Sequence, residues 1–320
     1  MKRIAVLTSG GDAPGMNAAV RAVVRAGKYY GLEVYGVNRG YEGLMAGDIH
    51  EMSIKSVSGI IQKGGTMLHT ARSKVFMTDE GQETAAEMLR SFQIDGLVVI
   101  GGDGSLTGGL MLAKKGVNVM GLPGTIDNDL GFTDYTIGFD TTVNTVLAAL
   151  SKIKDTSSSH ERTFIVEVMG RNSGQIAQFA GITGGAEIIL TPDKEVDIKN
   201  LTRTLIRGRN RGKSYNLILK AEGVQMNSEE LANIICAETG METKVVILGY
   251  IQRGGDPSAK DRMLASRMGM EAVELFNNGV RNRAIGMRGD TVIHTDLEEA
   301  LSIEEPRETY MDKLQEVLSI

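Results

Sequence analysis

The sequence contains no tryptophan, one cysteine and only 5 prolines among its 320 residues. The single cysteine, Cys236, cannot form an internal disulfide, which indicates a reducing compartment, so we expect a cytoplasmic protein. The chain also lacks an apolar run of about 18 residues, the length that a membrane-spanning helix requires. Only four apolar residues follow Met1-Lys2-Arg3 before Thr8, which is too few for a signal peptide. We therefore expect neither a membrane protein nor a secreted one.

An excess of basic charge is missing as well. The 35 basic and 40 acidic residues give a net charge of −5, and no long basic run is present. Nucleic acid is therefore not an expected partner. The 4 histidines show no spacing typical of a metal site, so a structural zinc is not expected.

Glycine, by contrast, is abundant, with 40 residues. Each interior glycine costs backbone entropy on folding, so we expect many of them where the backbone approaches a ligand closely. The length fits two domains of about 100 to 200 residues each.

Short apolar, largely β-branched runs alternate with helix-like segments along most of the chain, which predicts an α/β fold with parallel strands and crossover helices. The helices expected are 16–30, 105–115 and 139–153, the last on the spacing of its apolar face. The strands expected are 4–8, 97–100, 117–122, 164–169, 188–190, 217–221 and 245–248.

Three of these strands are followed by loops rich in Gly and Asp, at 9–15, 101–104 and 123–129. In a parallel sheet the carboxyl ends of the strands face one crevice, so the loops predict a phosphorylated ligand there. Asp103 would repel phosphate directly, which points to Mg²⁺ between carboxylate and phosphates. The alternative is that the loops are only tight turns, with Ser105 capping the following helix. A P-loop-like segment at 208–214 has the wrong spacing and follows a helical run, so we reject it.

The third loop contains a candidate catalytic base. Alternation along an extended backbone can direct Asp127 into the crevice and Asn128 away from it. A carboxylate there can take a proton from a substrate hydroxyl, as phosphoryl transfer to an alcohol requires. The alternative is a pair of Asx turns that only cap the connection.

Arginines at the ends of predicted elements are candidate phosphate ligands, namely Arg162, Arg171 and Arg253. Glu222 closes a predicted strand, where its carboxylate can accept hydrogen bonds from sugar hydroxyls. Arg21 and Arg25 lie four residues apart on one helix face and are either an exposed stripe or an anion clamp.

Five motifs occur together and in order: Leu7 to Asp12 (LTSGGD), Gly101 to Ser105 (GGDGS), Pro123 to Asp129 (PGTIDND), Met169 to Arg171 (MGR) and Gln252 to Gly255 (QRGG). Over essentially its whole length the chain resembles the family of bacterial ATP-dependent 6-phosphofructokinases. The resemblance implies two doubly wound three-layer αβα domains with mainly parallel sheets. The implied ranges are 1–138 with 252–303 for a larger ATP-binding domain, and 139–251 with 304–320 for a smaller sugar-phosphate-binding domain.

The resemblance also implies an activity, the transfer of the ATP γ-phosphoryl group to the 1-hydroxyl of fructose 6-phosphate with Mg²⁺ as cofactor. The implied ATP contacts are Gly11, Arg72, Ser73, Gly102, Asp103, Gly104 and Ser105, with Asp103 serving the metal. Asp127 would be the general base, Thr125 would face the sugar hydroxyl, and Asp129 would help to place the metal or the base. Arg171 and Arg72 would stabilise charge on the phosphoryl group in transit, and Gly11 belongs to the same catalytic set.

The implied fructose 6-phosphate contacts are Thr125, Ile126, Asp127, Arg162, Met169, Gly170, Arg171, Glu222, Lys244, Tyr250, Ile251, Gln252 and Arg253, with Arg162 and Lys244 reaching over from a neighbouring subunit. Lys244 and Tyr250 stand where the family usually has Arg and His. Because Lys offers no bidentate fork, an altered affinity for the sugar phosphate is expected.

The family is commonly an allosteric homotetramer whose effectors are ADP and phosphoenolpyruvate. The matching effector positions here are Arg21, Ala22, Val23, Val24, Arg25, Lys154, Gly185, Ala186, Glu187, Arg211, Lys213, Ser214 and Tyr215. Lys154 replaces the usual arginine and Gly59 the usual acidic residue, so an altered strength or identity of the effector is expected.

Two other functions remain open. Relatives that use pyrophosphate resemble this chain but carry Asp in place of Gly104 and Lys in place of Gly124, so the two glycines favour ATP. A nucleotide-sensing subunit without catalysis is the second alternative, against which Asp103, Asp127 and Arg171 argue.

Overall fold

The structure is a computed structural model that describes residues 2–304 and 309–318 of the chain. Within these residues the chain forms two compact units, 2–141 with 253–304 and 142–252 with 309–318. Residues 305–308 and 319–320 of the predicted smaller domain lie outside the described part.

The elements alternate along most of the chain, as an α/β protein requires. Their order from the N-terminus is β1 (Arg3–Thr8), α1 (Met16–Tyr29), β2 (Glu33–Val37), α2 (Gly40–Met45), β3 (Ile49–Met52), a 3₁₀ turn (Val75–Met77), α3 (Asp79–Ser91), β4 (Gly96–Gly101), α4 (Asp103–Lys114), β5 (Asn118–Thr125), β6 (Ile137–Gly138) and α5 (Phe139–His160). They continue with β7 (Thr163–Val168), α6 (Gln175–Gly184), β8 (Ile188–Leu190), α7 (Ile198–Asn210), β9 (Asn216–Ala221), α8 (Ser228–Thr239), β10 (Thr243–Ile247), a 3₁₀ turn (Gly249–Arg253), α9 (Ala259–Asn277), β11 (Arg283–Arg288), β12 (Thr291–Asp296), α10 (Leu297–Ser302) and α11 (Thr309–Leu318).

The first unit contains a sheet in the order β12-β11-β5-β4-β1-β2-β3, with β6 beside β5. Its central strands β2, β1, β4, β5 and β11 are parallel, while β3 and β12 are antiparallel edges. All residues of β4 are buried, as expected for a strand covered by helices on both faces. One core cluster includes Leu7, Val99 and Leu106. The predicted α/β class with mainly parallel sheets is confirmed.

The second unit contains a parallel sheet in the order β10-β7-β9-β8. Ile165 and Ile218 lie in its core with Leu205 of α7 and Leu231 of α8. The strands predicted at 164–169, 217–221 and 245–248 are present with ends shifted by one or two residues, and the strand at 188–190 is confirmed.

Two predicted helix boundaries are wrong. The helix predicted over 139–153 continues to His160. The prediction ended too early because the residues of the last two turns are mostly polar and show no apolar periodicity. The helix predicted to begin at Ser105 begins at Asp103, since Gly102, which has extended backbone angles, is its N-cap.

Asp261 is a buried carboxylate that joins α9 to the start of α5. It is 0% exposed, and its Oδ1 accepts a hydrogen bond from the backbone N–H of Gly138 at 2.9 Å. Its Oδ2 accepts from the N–H and the hydroxyl of Thr141 at 2.8 and 2.5 Å. Burial raises the pKa of the Asp261 carboxyl, while the hydrogen bonds from Thr141 and Gly138 oppose that shift. A carboxylate from α9 thus accepts hydrogen bonds from the N–H of Thr141 in the first turn of α5, which has no intrahelical partner, and from the N–H of Gly138 just before the helix.

We expect Asp261→Ala to lower the free energy of unfolding by about 3 kcal/mol, because it leaves two buried backbone N–H groups without their acceptor. Asp261→Asn keeps one oxygen acceptor and should cost about half as much. Urea unfolding followed by circular dichroism measures both values. A loss below about 0.5 kcal/mol for the alanine variant would show that water replaces the carboxylate.

Among the helices that the structure describes, none is long and apolar enough to cross a membrane.

Candidate functional site

The three Gly- and Asp-rich loops lie side by side because β1, β4 and β5 are adjacent parallel strands. The chain passes from β1 through α1 to β2 on one side, and from β4 through α4 to β5 on the other. The direction of winding therefore reverses between β1 and β4. Ligands of open α/β sheets bind in the crevice at such a switch point.

The first loop, 9–15, is packed closely against the guanidinium of Arg253. Its Nη1 donates a hydrogen bond to the carbonyl of Asp12 at 3.1 Å. A Cβ atom at Gly11 would lie 2.2 Å from the same nitrogen, so a side chain at this position would displace Arg253. The structure thus places Arg253, a predicted sugar-phosphate ligand, on the loop that was predicted to bind ATP.

The second loop presents the exposed N-terminus of α4. The backbone N–H groups of Ser105 and Leu106 donate to the Gly102 carbonyl at 2.9 and 3.0 Å. Asp103 and Gly104 are exposed, and a Cβ atom at Gly104 would meet no atom within 4 Å. Ser105 is only 5% exposed. The loop therefore leaves room for a large group next to a helix N-terminus, where an anion is favoured.

Tyr41 supports the first turn of α4 from the protein interior, a role that the sequence did not reveal. Its hydroxyl donates to the Ser105 carbonyl at 2.5 Å, and its ring stacks on Phe76 with centroids 3.9 Å apart. Burial raises the pKa of the Tyr41 phenol, so the group remains a hydrogen-bond donor at neutral pH.

The third loop follows β5. Asp127 is 2% exposed, and its N–H donates to the Thr125 hydroxyl at 3.2 Å. Asn128 has a positive φ of 52°, which asparagine tolerates better than most residues. Its Oδ1 accepts from the N–H of Thr136 at 2.8 Å, so its side chain binds the later part of the same connection between β5 and β6. The side chain of Ile126 is buried, with 0% exposure, so only its backbone could contact a ligand.

The segment that carries Arg72 and Ser73 is anchored by Asn17. The amide of Asn17 donates to the carbonyls of Lys63 and Gly64 at 3.1 Å each and accepts from the N–H of Met67 at 2.7 Å. Arg72 itself is exposed. No motif distinguishes Asn17 in the sequence, because its role depends on a loop that begins some 45 residues later.

In the second unit, Glu222 fixes the backbone of the MGR loop. Its Oε1 accepts from the N–H groups of Gly170 at 3.2 Å and Arg171 at 2.8 Å. Arg171 has a φ of 52°, a left-handed conformation that costs a non-glycine residue about 1 to 3 kcal/mol and persists where its surroundings hold it. A Cβ atom at Gly223 would lie 2.0 Å from the Arg171 carbonyl oxygen, so the two loops require glycine at their contact.

The segment 249–252 ends in a buried residue. Gln252 is 0% exposed, and its Oε1 accepts from the N–H of Met169 at 3.2 Å while its Nε2 donates to the Gly249 carbonyl at 3.0 Å. Tyr250 and Ile251 are 83% and 59% exposed. Gln252 therefore supports the MGR loop from within, and its two neighbours face outward.

Two further predicted phosphate ligands converge on one carboxylate. Glu242 accepts from Arg162 Nε at 2.7 Å and is paired with Lys244 Nζ at 3.0 Å. The hydrogen bonds from Lys244 and Arg162 hold the pKa of Glu242 below its usual value. Glu242 thus brings the two cations together.

The predicted effector residues fall in both units. In the second, the Glu187 carboxylate pairs with Lys213 Nζ at 2.6 Å, and Lys154 Nζ donates to the Gly184 carbonyl at the end of α6. In the first, burial and the nearby Arg25 lower the pKa of Arg21. Val23 and Val24 are 0% exposed, so their side chains belong to the core. The positions at 185–186, 211 and 214–215 lie on the loops that follow α6 and α7.

Within residues 2–304 and 309–318, no group of three acidic, histidine or cysteine side chains has the geometry of a metal site. Mg²⁺ is commonly held by one or two carboxylates together with substrate phosphates. The exposed Asp103 at the start of α4 fits that arrangement.

Comparison with known proteins gives one consistent result. Residues 3–276 match the phosphofructokinase family. The chain is 55% identical over 319 residues to an ATP-dependent 6-phosphofructokinase of Clostridium botulinum, covering 100% of both chains. It is 54% identical over 320 residues to the enzyme of the same name from Clostridium novyi, covering 100% of this chain and 99% of the relative.

Solved structures agree. A phosphofructokinase from Saccharomyces cerevisiae superimposes with a TM-score of 0.91 at 37% identity, covering 100% of this chain and 48% of the yeast chain. A pyrophosphate-dependent phosphofructokinase from Marinobacter aquaeolei superimposes with a TM-score of 0.86 at 23% identity, covering 97% of this chain and 86% of the other, and shows the shared fold alone.

Proposed function

Because this chain belongs to the phosphofructokinase family, we propose that it transfers the γ-phosphoryl group of ATP to the 1-hydroxyl of fructose 6-phosphate, yielding fructose 1,6-bisphosphate and ADP. The observation that carries the proposal is the 55% identity, over the full length of both chains, to a relative named as ATP-dependent. The enzyme is thus a glycolytic phosphotransferase, which we place in the cytoplasm.

The choice of ATP over pyrophosphate is supported by two glycines of the first unit. The space at Gly104 is open to at least 4 Å, as a nucleoside triphosphate would require. A Cβ atom at Gly124 would lie 3.0 Å from Ile100 Cγ2 and 3.2 Å from Met16 Cε. The side chain of a lysine at position 124 could not fit among these atoms. It would have to extend toward the loops, where it would occupy space that the nucleotide needs.

Residues of the first unit would bind ATP and activate the sugar hydroxyl. The N–H groups at the start of α4 and the backbone at Gly11 would bind the phosphates, with Arg72 and Ser73 beside them. Asp103 would hold Mg²⁺, which supplies positive charge to the phosphate oxygens when bound. Asp127 would take the proton from the 1-hydroxyl, with Thr125 and Asp129 assisting.

Residues of the second unit would bind the sugar phosphate. The MGR loop and Glu222 would contact the sugar, and the guanidinium of Arg171 would stabilise charge on the phosphoryl group as it moves. Arg162 and Lys244 of a neighbouring subunit would bind the 6-phosphate in exchange for Glu242, together with the segment 250–253. Because the Glu242 carboxylate is paired with both cations, a phosphate would have to displace it, which lowers the affinity for phosphate.

We further propose regulation by ADP and phosphoenolpyruvate in a homotetramer, on the basis of the cation-rich positions at Arg21, Arg25, Lys154 and Lys213. The pairing of Lys213 with Glu187 supports this proposal, because an anionic effector would exchange for the carboxylate and alter the loop that follows α6.

The donor is tested by assaying the purified chain with fructose 6-phosphate, Mg²⁺ and either ATP or pyrophosphate, with fructose 1,6-bisphosphate coupled to NADH oxidation. We expect turnover with ATP and at least about 100-fold lower kcat/KM with pyrophosphate. Equal or better turnover with pyrophosphate would overturn the assignment of the donor. Absence of turnover with both, in a protein that binds ADP, would favour a nucleotide-sensing role.

A further inference from the structure

An ion pair between a buried lysine and a partly exposed glutamate lies in the second unit, near the ends of strands that lead into the loops assigned to the sugar phosphate. Glu167 of β7 and Lys220 of β9 are register partners on neighbouring parallel strands, so their side chains lie on the same face of the sheet. Lys220 Nζ is 3.1 Å from Glu167 Oε2, and the Lys220 side chain is only 2% exposed. The hydroxyl of Ser228, the first residue of α8, donates to the same Oε2 at 2.5 Å.

The cluster of Glu167, Lys220 and Ser228 ties the two ends of the loop between β9 and α8 to β7. Lys220 precedes that loop and Ser228 follows it, and both bind one carboxylate on β7. The loop contains Glu222, whose Oε1 accepts from the N–H groups of Gly170 and Arg171. The N–H of Glu222 in turn donates to the Val168 carbonyl at 2.8 Å, one residue beyond Glu167.

The same carboxylate-bearing residue also meets the segment that leads to Tyr250. The backbone carbonyl of Glu167 accepts from the N–H of Leu248 at 3.1 Å, just after β10. Glu167 thus lies at the junction of three strand ends, each of which continues into residues that were assigned to the sugar phosphate.

A buried ammonium is costly, because it loses its hydration and regains only what its partners supply. The register partner of Lys220 on its other neighbouring strand, β8, is the apolar residue Leu190. An apolar side chain would therefore also suit position 220. In some other proteins, buried polar pairs of this kind fix one arrangement of the surrounding backbone.

We propose that the cluster of Glu167, Lys220 and Ser228 is a positioning device for the sugar-phosphate site. It holds the loop carrying Glu222 at a fixed distance from β7, and Glu222 then holds Gly170 and Arg171 in the conformation that meets the substrate. The inference rests on the proposed function for the identity of the substrate, while the mechanical coupling is a property of the second unit itself.

The test is Lys220→Met, which keeps the length of the side chain and removes its charge, with Lys199→Met on the exposed face of α7 as the matched control. We expect the KM for fructose 6-phosphate to rise about 3- to 30-fold and the KM for ATP to stay within about twofold. Hydrogen exchange at the amides of Gly170 and Arg171 should accelerate in the ligand-free variant, while the control should match the wild type in both measurements.

Glu167→Gln provides the second arm, because it leaves the buried ammonium without its carboxylate and should disturb the same KM at least as much. The double variant Lys220→Met/Glu167→Gln should resemble the worse single variant and not the product of the two effects, since the residues act as one unit. If Lys220→Met does not fold, Ser228→Ala keeps the ion pair and should show a smaller change in the same direction.

A lower melting temperature with an unchanged KM for fructose 6-phosphate and unchanged exchange at Gly170 and Arg171 would overturn the proposal and leave the cluster a stabilising pair only. An equal rise in both KM values would overturn it as well. If the wild type does not turn over fructose 6-phosphate, the proposed function fails, and the exchange measurement still decides whether the cluster positions the loop.

Discussion

Asp127→Asn should lower kcat by about 10²- to 10⁴-fold, the range typical for the loss of a general base. The amide keeps the size and the hydrogen-bonding oxygen of the carboxylate but cannot take the proton of the 1-hydroxyl. Although the residue is only 2% exposed, the change is isosteric and should leave the loop after β5 folded. The KM values for both substrates should change by less than about threefold.

Steady-state kinetics with saturating ATP and fructose 6-phosphate measure this effect. The matched control is Asp290→Asn in the exposed turn between β11 and β12, which should retain the activity of the wild type. A kcat for Asp127→Asn within about fivefold of the wild type would remove Asp127 from the role of base.

Gly104→Asp should lower kcat/KM for ATP by about 10²-fold or more without unfolding the protein. Two like charges at 4 Å cost about 4 kcal/mol at an effective dielectric constant of 20, and Mg²⁺ and solvent would screen part of this. The fold should tolerate the new side chain, since a Cβ atom at Gly104 meets no atom within 4 Å.

Gly104→Ala separates charge from size at this position. It adds a methyl group in open space, so both its melting temperature and its kcat/KM for ATP should stay close to those of the wild type. If Ala and Asp reduce kcat/KM equally, steric exclusion of the nucleotide is the cause. If neither does, the donor does not approach the start of α4.

The sequence predicted what local patterns encode. The segments predicted as loops at 9–15, 101–104 and 123–129 lie at the ends of β1, β4 and β5, and the order β5-β4-β1 brings them to one edge, as expected for a parallel sheet. Their predicted bounds are partly wrong, because 101 and 123–125 belong to strands and 103–104 to α4. The family resemblance is confirmed by the match over residues 3–276. Both the positions of the loops and the family motifs are encoded locally, in glycine-rich segments a few residues long that follow apolar runs.

What the sequence did not predict depends on contacts distant along the chain. Asp261 completes the first turn of α5 from a position 120 residues further on. Tyr41 supports Ser105, and Lys220 meets Glu167 only because β7 and β9 pair in one register. The extension of α5 to His160 was missed because its serines and charged residues lack an apolar stripe. Such roles arise from the tertiary fold and leave no spacing in the sequence.

³¹P NMR of the reaction mixture tests most directly the proposed transfer of the γ-phosphoryl group of ATP to the 1-hydroxyl of fructose 6-phosphate. This transfer predicts that the resonances of ATP give way to those of ADP while a second sugar-phosphate resonance, that of a phosphate on O1, grows in equal amount. Consumption of ATP that releases inorganic phosphate and leaves fructose 6-phosphate unchanged would contradict it.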